Sequence, residues 1–147
     1  MKDVVAVIGA GGIGQAVARR IGAGKHVVLA DLRIETAQAA AKILEDAGFE
    51  TSATQADLAS RESIRALIEH ARGFGPIRNL VNAAGVSPSQ APVAAILKVD
   101  LYGTSVLLAE FLMSSRGRWI TGSDFLIDGG TTASYFYGDL QYLKATH

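Results

Sequence analysis

Cysteine is absent from the chain, and this excludes disulfides, thiolate metal sites and cysteine nucleophiles. Net charge is absent as well, because 14 lysine and arginine residues balance 14 aspartate and glutamate residues. The balance gives no electrostatic basis for binding nucleic acid or an anionic membrane, so we expect neither as a partner. A cysteine-free sequence of this kind fits a cytoplasmic protein.

Long apolar runs are also missing. No segment approaches the roughly 18 apolar residues that a membrane-spanning helix needs. The apolar run at residues 4–8 is followed by glycine and is too short for a signal peptide. The chain has 147 residues, 49% of them hydrophobic, and therefore predicts a single domain, residues 1–147, with a substantial core.

Apolar runs alternate with amphipathic segments over most of the chain. The runs predict strands at residues 4–8, 26–31, 49–58 and 77–81, the third being more polar and so nearer a sheet edge. Helical patterns lie at residues 13–21, 34–48, 61–71 and about 94–112. This alternation is typical of a parallel sheet with right-handed crossovers. We predict the α/β class: a Rossmann-type, doubly wound parallel sheet in three αβα layers.

Two of the predicted helices carry informative faces. In the first, Ile13, Val17 and Ile21 share one face. The last, about 94–112, is apolar on more than one face, which predicts burial against the sheet and a partner.

Glycines cluster where the first predicted strand ends. Residues 9–14 read GAGGIG, which satisfies the G-x-G-x-x-G pattern after a strand and at the start of a helix. Glycine at these positions permits a tight turn, a close approach of the backbone to a pyrophosphate, and close packing of helix on strand. The helix N-terminus favours the anion. The residues predicted to bind a dinucleotide here are Gly9, Gly11, Gly12, Ile13 and Gly14.

An acidic residue ends the second predicted strand. Asp31, with Leu32 beside it, is placed where a carboxylate accepts hydrogen bonds from the adenosine ribose hydroxyls. The carboxylate favours NAD over NADP, because the 2′-phosphate of NADP would meet a like charge. Arg33 would soften this preference if its side chain turned inward. The alternative is an exposed or helix-capping Asp31 with no ligand.

Further motifs follow in chain order: ADL at 56–58, NAAG at 82–85, VDLYG at 99–103 and ITGSDFLIDGG at 120–130. With the glycine loop, they make the chain resemble the short-chain dehydrogenase/reductase family in two blocks, residues 1–111 and from 120 onward. The resemblance implies hydride transfer between a nicotinamide cofactor and an alcohol or carbonyl substrate.

The resemblance also assigns cofactor residues. Asp57 and Leu58 match the positions that border the adenine. The family's Asn-Asn-Ala-Gly motif beside the cofactor is matched by Asn82, Ala83, Ala84 and Gly85, with alanine replacing the second asparagine. The glycine loop departs from the family, which usually has three residues where Gly9 and Gly12 enclose two. We expect binding to survive this change.

The family's catalytic residues have no counterpart. The chemistry needs a serine and a Tyr-x-x-x-Lys pair, whose spacing puts both side chains on one helix face. None of the four tyrosines has lysine four residues later. Asp100 stands where a helper asparagine is expected, and a carboxylate only accepts hydrogen bonds. Ser87 and Ser123 are best interpreted as loop serines, and the scattered His26, His70 and His147 do not predict a metal site. We therefore assign no catalytic residue and no metal ligand.

Residues 112–119 stand where the family has its catalytic strand and helix. We interpret them as the junction of an internal deletion, which leaves βα units at 1–111, a last strand and tail at 120–147, and a truncated fold. A sequence that omits the segment is the alternative. A deletion would expose the edge of the strand at 77–81, which the last strand or another chain would cover. We accordingly expect a homo-oligomer.

Three hypotheses remain open. The first is an NAD(H)-dependent oxidoreductase, with an unknown small-molecule substrate, of which this chain is an incomplete representation. The second is a catalytically inactive cofactor binder. The third is a remnant without ligand that associates with intact homologues, against which the glycine loop, Asp31 and Asn82 argue. The absent Tyr-x-x-x-Lys pair separates the first two, and predicts a chain that binds NAD without turnover.

Overall fold

The computed structural model describes residues 1–112. The strands and helices alternate in the order β1 (Val4–Ile8), α1 (Gly12–Ile21), β2 (His26–Asp31), α2 (Ile34–Asp46), β3 (Glu50–Gln55), α3 (Arg61–Phe74) and β4 (Ile77–Asn82). A continuous helical segment then comprises α4 (Val93–Ile96), a π-helix (Leu97–Gly103) and α5 (Thr104–Leu112). The predicted junction beyond Leu112, the last strand, the tail, Ser123 and His147 lie outside the described residues.

The four described strands form one parallel sheet in the order β3-β2-β1-β4. Val4 lies opposite His26 of β2 and Ile77 of β4. Every residue of the central β1 is buried, whereas β3 and β4 lie at the edges of the described sheet and are only partly buried. The predicted edge position of the polar third strand is confirmed, and β4 lies at the other edge of the four described strands.

Helices cover both faces of the sheet, which confirms the doubly wound α/β fold. On one face, alternate residues of β1 pack with apolar residues of α3 and with Leu107 of α5. On the other face, Val5 and Val7 pack with alanines of α1 and α2 and with Leu44. The apolar residues Ile64, Leu67 and Ile68 of α3 are buried. No helix within residues 1–112 is long and apolar enough to cross a bilayer.

Helix α1 buries its small residues, and of its two isoleucines Ile21 packs against the core while Ile13 does not. Gly14 and Ala18 are its buried residues, whereas Ile13 is 74% exposed. The reason is close packing: a Cβ atom on Gly14 would collide with the carbonyl oxygen of Gly9 and crowd the Val7 side chain. Small residues therefore face the sheet, and Ile13 faces outward.

The helix predicted at about 94–112 is present, but the π-helix interrupts it and most of its apolar side chains are not buried. Gly103 and Leu107 are its buried residues. Val93, Leu97 and Leu101, spaced four residues apart, are exposed, as is Tyr102. The predicted packing on the sheet is present through Leu107, with Val99, Val106 and Phe111 packed against the same core, whereas burial of the exposed residues against a partner stays a prediction.

Candidate functional site

A cleft of about 380 Å³ opens at the carboxyl ends of the parallel strands. This is the edge at which open α/β sheets bind ligands. The residues after β1, β2, β3 and β4 contribute its wall, together with one residue of the π-helix. The full lining is Ile8, Gly9, Gly11, Asp31, Leu32, Arg33, Ala56, Asp57, Leu58, Ala83, Ala84, Gly85, Val86 and Val99.

Most of the residues predicted to bind the cofactor meet in this cleft, although they come from four separate loops. Gly12, Ile13, Gly14 and Asn82 do not line it. From the sequence, Arg33 is expected only to modify the preference for NAD over NADP. Four lining residues are not predicted from the sequence: Ile8, Ala56, Val86 and Val99. Each of these four lies within or directly beside a recognised motif, and that adjacency is the signal that would have found them.

The glycine loop is shaped by contact with the residues after β4. Gly9 has φ +87°, and a Cβ atom there would lie 2.5 Å from the backbone nitrogen of Ala84. Only glycine combines this conformation with so close an approach. Around Gly11 and Gly12, by contrast, no atom from elsewhere in the described chain lies within 4 Å of a Cβ position. The space that side chains would fill there is open beside the start of α1, which fits a pyrophosphate.

Asp31 makes two hydrogen bonds to backbone N–H groups and also lines the cleft. Its Oδ2 accepts a hydrogen bond from the Ala10 backbone N–H at 3.0 Å, and its Oδ1 accepts from the Arg33 N–H at 3.2 Å. The half-buried carboxylate therefore supports the glycine loop and the entry to α2. It also lines the cleft, where its remaining lone pairs can accept from ribose hydroxyls. Arg33 lines the same cleft.

Asp57 is held by the start of α3. Its backbone N–H donates to Ser63 Oγ at 2.9 Å, and its Oδ1 accepts from the Ala59 N–H at 2.8 Å. Ser60 caps the helix by accepting from the Ser63 N–H at 3.2 Å. Ser63 was missed from the sequence, because a serine in a first helical turn carries no signal of this contact.

Asn82 and Asp100 hold the chain after β4. Asn82 donates from Nδ2 to Thr104 Oγ1 at 2.8 Å and accepts at Oδ1 from the Ala84 N–H at 3.2 Å. Asp100 accepts at Oδ1 from the Val86 N–H at 3.0 Å. This contact needs only an acceptor, so aspartate meets it as well as asparagine would.

The described cleft wall offers binding groups but no proton-transfer partner of the expected kind. It contains no tyrosine, lysine, serine or histidine. Ser87 bonds instead to Ser89 and Gln90. Tyr102 is 49% exposed and lies outside the cleft. Within residues 1–112, no group of three or more His, Cys, Asp or Glu side chains is arranged to hold a metal ion.

Two described clusters with shifted pKa values lie outside the cleft lining. Burial lowers the pKa of His26, which stacks on Phe74 with ring centroids 4.1 Å apart. His70 meets the same phenylalanine edge-on at 5.2 Å, so two histidines that are distant in sequence share one aromatic contact. Hydrogen bonds from Arg65 and Arg61 of α3 lower the pKa of Glu110 in α5.

Comparisons with known proteins point in one direction. The family model described as short chain dehydrogenase matches residues 3–115. The short-chain dehydrogenase/reductase bsc3 of Alternaria brassicicola is 36% identical over 148 residues, covering 99% of this chain and 53% of that protein. The 3beta-hydroxysteroid dehydrogenase 1 of Eggerthella lenta is 38% identical over 94 residues, and the match covers 60% of this chain and 36% of that protein. The chain spans about half the length, or less, of these relatives.

Solved structures agree with the sequence relatives. A short-chain dehydrogenase/reductase from Burkholderia phymatum in complex with NAD has a TM-score of 0.70 at 25% identity, covering 80% of this chain and 45% of that one. A metagenomic short-chain oxidoreductase in complex with NADP has a TM-score of 0.64 at 30% identity, covering 74% and 54% respectively. Both cofactors therefore occur among the structural neighbours.

Proposed function

The chain belongs to the short-chain dehydrogenase/reductase family, and from this premise we propose that its cleft binds NAD(H) in preference to NADP(H). The observation that carries the proposal is the open space at Gly11 and Gly12 in a loop whose other glycines are tightly packed. The protein itself needs glycine at Gly9 and Gly14 for packing. The space at Gly11 and Gly12 is left for a ligand, and their N–H groups are suited to an anion.

The cleft provides surroundings for each part of the dinucleotide. The glycine loop would bind the pyrophosphate, and Asp31 would accept from the adenosine ribose. Leu32 and Leu58 would flank the adenine, with Asp57 at its edge. When bound, the cofactor would supply hydride chemistry, while the residues of this chain bind and orient it.

The charge of Asp31 supports the preference for NAD(H). Arg33 in the same cleft works in the opposite direction, because a guanidinium attracts phosphate. Asp31 is fixed by two backbone N–H groups at its place in the wall, whereas Arg33 is an exposed side chain with more freedom. We therefore expect the carboxylate to dominate.

We further propose that the chain as it stands is catalytically silent. No Tyr-x-x-x-Lys pair occurs in the sequence, and the described cleft wall has no side chain to replace the tyrosine. The second candidate is an oxidoreductase whose catalytic segment is missing from this sequence at the junction formed by residues 112–119. The greater length of the relatives favours keeping this candidate.

Calorimetric titration of the purified chain with NADH and NADPH tests the binding proposal, and a panel of ketones and aldehydes tests turnover. We expect NADH to bind, NADPH to bind more weakly, and no carbonyl to be reduced. Failure of both cofactors to bind would refute the proposal, and robust turnover would refute catalytic silence. An intact mass well above 15.4 kDa would reveal a missing segment.

Replacing Asp31 by serine tests the cofactor preference. Loss of the charge should lower the ratio of NADH to NADPH affinity by about tenfold, the equivalent of roughly 1.4 kcal/mol. The ratio is the sharper measurement, because any damage to the glycine loop weakens both cofactors alike. Arg33→Ser is the matched control and should raise the same ratio. An unchanged ratio in Asp31→Ser would remove the carboxylate from the selection.

A further inference from the structure

We infer that Gln15 is a positioning residue for the glycine loop, which it holds through the carbonyl groups of Ala10 and Gly11. The inference rests on the proposed cofactor function and deepens it. Gln15 lies in the first turn of α1 and lines an open groove between α1 and α2, rather than the cofactor cleft. It therefore acts through the loop and does not itself line the cleft.

Two hydrogen bonds from this one residue reach the loop. The side-chain Nε2 of Gln15 donates to the Ala10 carbonyl oxygen at 2.9 Å, and its backbone N–H donates to the Gly11 carbonyl oxygen at 3.0 Å. On its other side, Ala10 donates its N–H to Asp31. Ala10 itself is fully buried. The Ala10 residue is thus held at both its donor and its acceptor.

Peptide geometry turns these contacts into an orientation of the donors. The described peptide bonds are all trans, so the N–H of each residue is directed opposite to the carbonyl of the residue before it. With the Ala10 and Gly11 carbonyls directed at Gln15, the N–H groups of Gly11 and Gly12 are directed away from Gln15. These are the two residues whose surroundings are open.

The hydrogen bond from the Gln15 side chain should affect loop geometry more in this chain than in a relative with a three-residue loop, because the loop here is short. Two residues lie between Gly9 and Gly12, and the Ala10 carbonyl is one of the few acceptors through which the turn can be fixed. The backbone contact from Gln15 survives any substitution that preserves the helix. The amide of Gln15 is the contact that mutation can remove.

The test compares Gln15→Met and Gln15→Glu with Ala16→Met and Ala16→Glu. Ala16 is exposed on the next position of α1 and has no hydrogen bond to the Ala10 carbonyl, so these controls place the same new side chains on the helix beside Gln15. We expect Gln15→Met to weaken NADH binding about three- to tenfold relative to Ala16→Met, the range for one lost hydrogen bond. Gln15→Glu should weaken NADH binding, relative to Ala16→Glu, by a larger factor than the methionine pair, because its carboxylate faces the Ala10 carbonyl oxygen.

A ligand-free measurement separates this inference from the proposed function. In the NMR spectrum, removal of the Gln15 amide should shift the Ala10 carbonyl carbon and speed exchange of the Ala10 N–H, with unchanged signals in the Ala16 variants. If the natural chain does not bind NADH, the proposed function fails, while the Ala10 signals still report on Gln15. Equal NADH affinities in the Gln15 and Ala16 variants, or an unmoved Ala10 carbonyl signal, would overturn the inference.

Discussion

At the scale of single residues, the glycine loop divides into positions that the fold requires and positions that it leaves open. Gly9 has a backbone conformation that other residues rarely adopt, and it touches the chain after β4. Gly11 is exposed with open space beside it. The same residue type thus serves folding at one position and is free for ligand contact two positions later.

Alanine substitution should separate these two roles. We expect Gly9→Ala to lower the free energy of unfolding by roughly 1–3 kcal/mol, because of backbone strain and a clash with Ala84. Gly11→Ala should leave thermal stability nearly unchanged and weaken NADH binding at least about tenfold. Thermal denaturation and calorimetric titration measure the two effects. A Gly11→Ala variant that binds NADH normally would show that the open space is not the pyrophosphate site.

The residues predicted from the sequence are those whose identity is tied to a local pattern. Gly9 and Asp31 belong to such patterns, since each lies at a fixed point after a strand. Gln15, Ser63 and Thr104 do not, because each acts through a hydrogen bond to a backbone or side-chain atom in another turn or element. Their residue types are common in helices, and only the folded chain shows what they contact.

At the scale of elements, burial determines how well periodicity predicts structure. Strand β1 has the predicted bounds and is buried at every residue, because a strand covered on both faces needs an unbroken apolar run. The segment from Val93 to Leu112 has the same apolar character but leaves Leu97 and Leu101 exposed. Hydrophobicity alone does not reveal a π-helix, which shifts every following side chain around the helix axis.

The contact between α3 and the sheet contains a histidine whose pKa is lowered. His26, at the start of β2, stacks on Phe74 at the end of α3 and bonds to Ser52 Oγ at 3.0 Å. Burial lowers the pKa of His26 below 6.5. The charge of Glu50 opposes this effect, whereas the charges of His70 and Lys2 add smaller decreases. The neutral imidazole is therefore the form that the folded chain favours.

The lowered pKa predicts that stability decreases on acidification. Below about pH 6.5 the unfolded chain binds a proton that the folded chain resists, so the free energy of unfolding falls as pH drops toward the folded-state pKa. The slope is at most about 1.4 kcal/mol per pH unit. Urea denaturation between about pH 5.5 and 8 measures it. His26→Phe keeps an aromatic ring and should flatten the dependence of the free energy of unfolding on pH. His70→Gln, at an exposed position, should retain that dependence. A steep pH dependence in His26→Phe would contradict its assignment to His26.

At the scale of the whole molecule, two features of the described chain remain open to association. Strand β4 has one edge without a partner among residues 1–112. Val93, Leu97 and Leu101 form an exposed apolar stripe at four-residue spacing. Exposed stripes of this kind are typical of interaction surfaces, and we propose that the chain forms a homo-oligomer through this one.

A double substitution tests the oligomer. We expect the natural chain to have a solution mass at least twice 15.4 kDa by light scattering, and Leu97→Glu/Leu101→Glu to have the mass of a monomer. Ile43→Glu, at an exposed isoleucine on α2, is the control and should remain oligomeric. A monomeric natural chain would refute the proposal. A double variant that remains oligomeric would show that the oligomer does not depend on this stripe, and the β4 edge would then be the surface to test.

The two backbone contacts of Asp31 have an evolutionary consequence. The carboxylate that would select the cofactor also holds the Ala10 N–H and the entry to α2. A substitution that removes the charge to admit a 2′-phosphate also removes acceptors that shape the glycine loop. Under the proposed preference for NAD(H), cofactor selection is therefore epistatic with loop support, and we expect a complete switch to NADP(H) to need a second change that restores an acceptor for the Ala10 N–H.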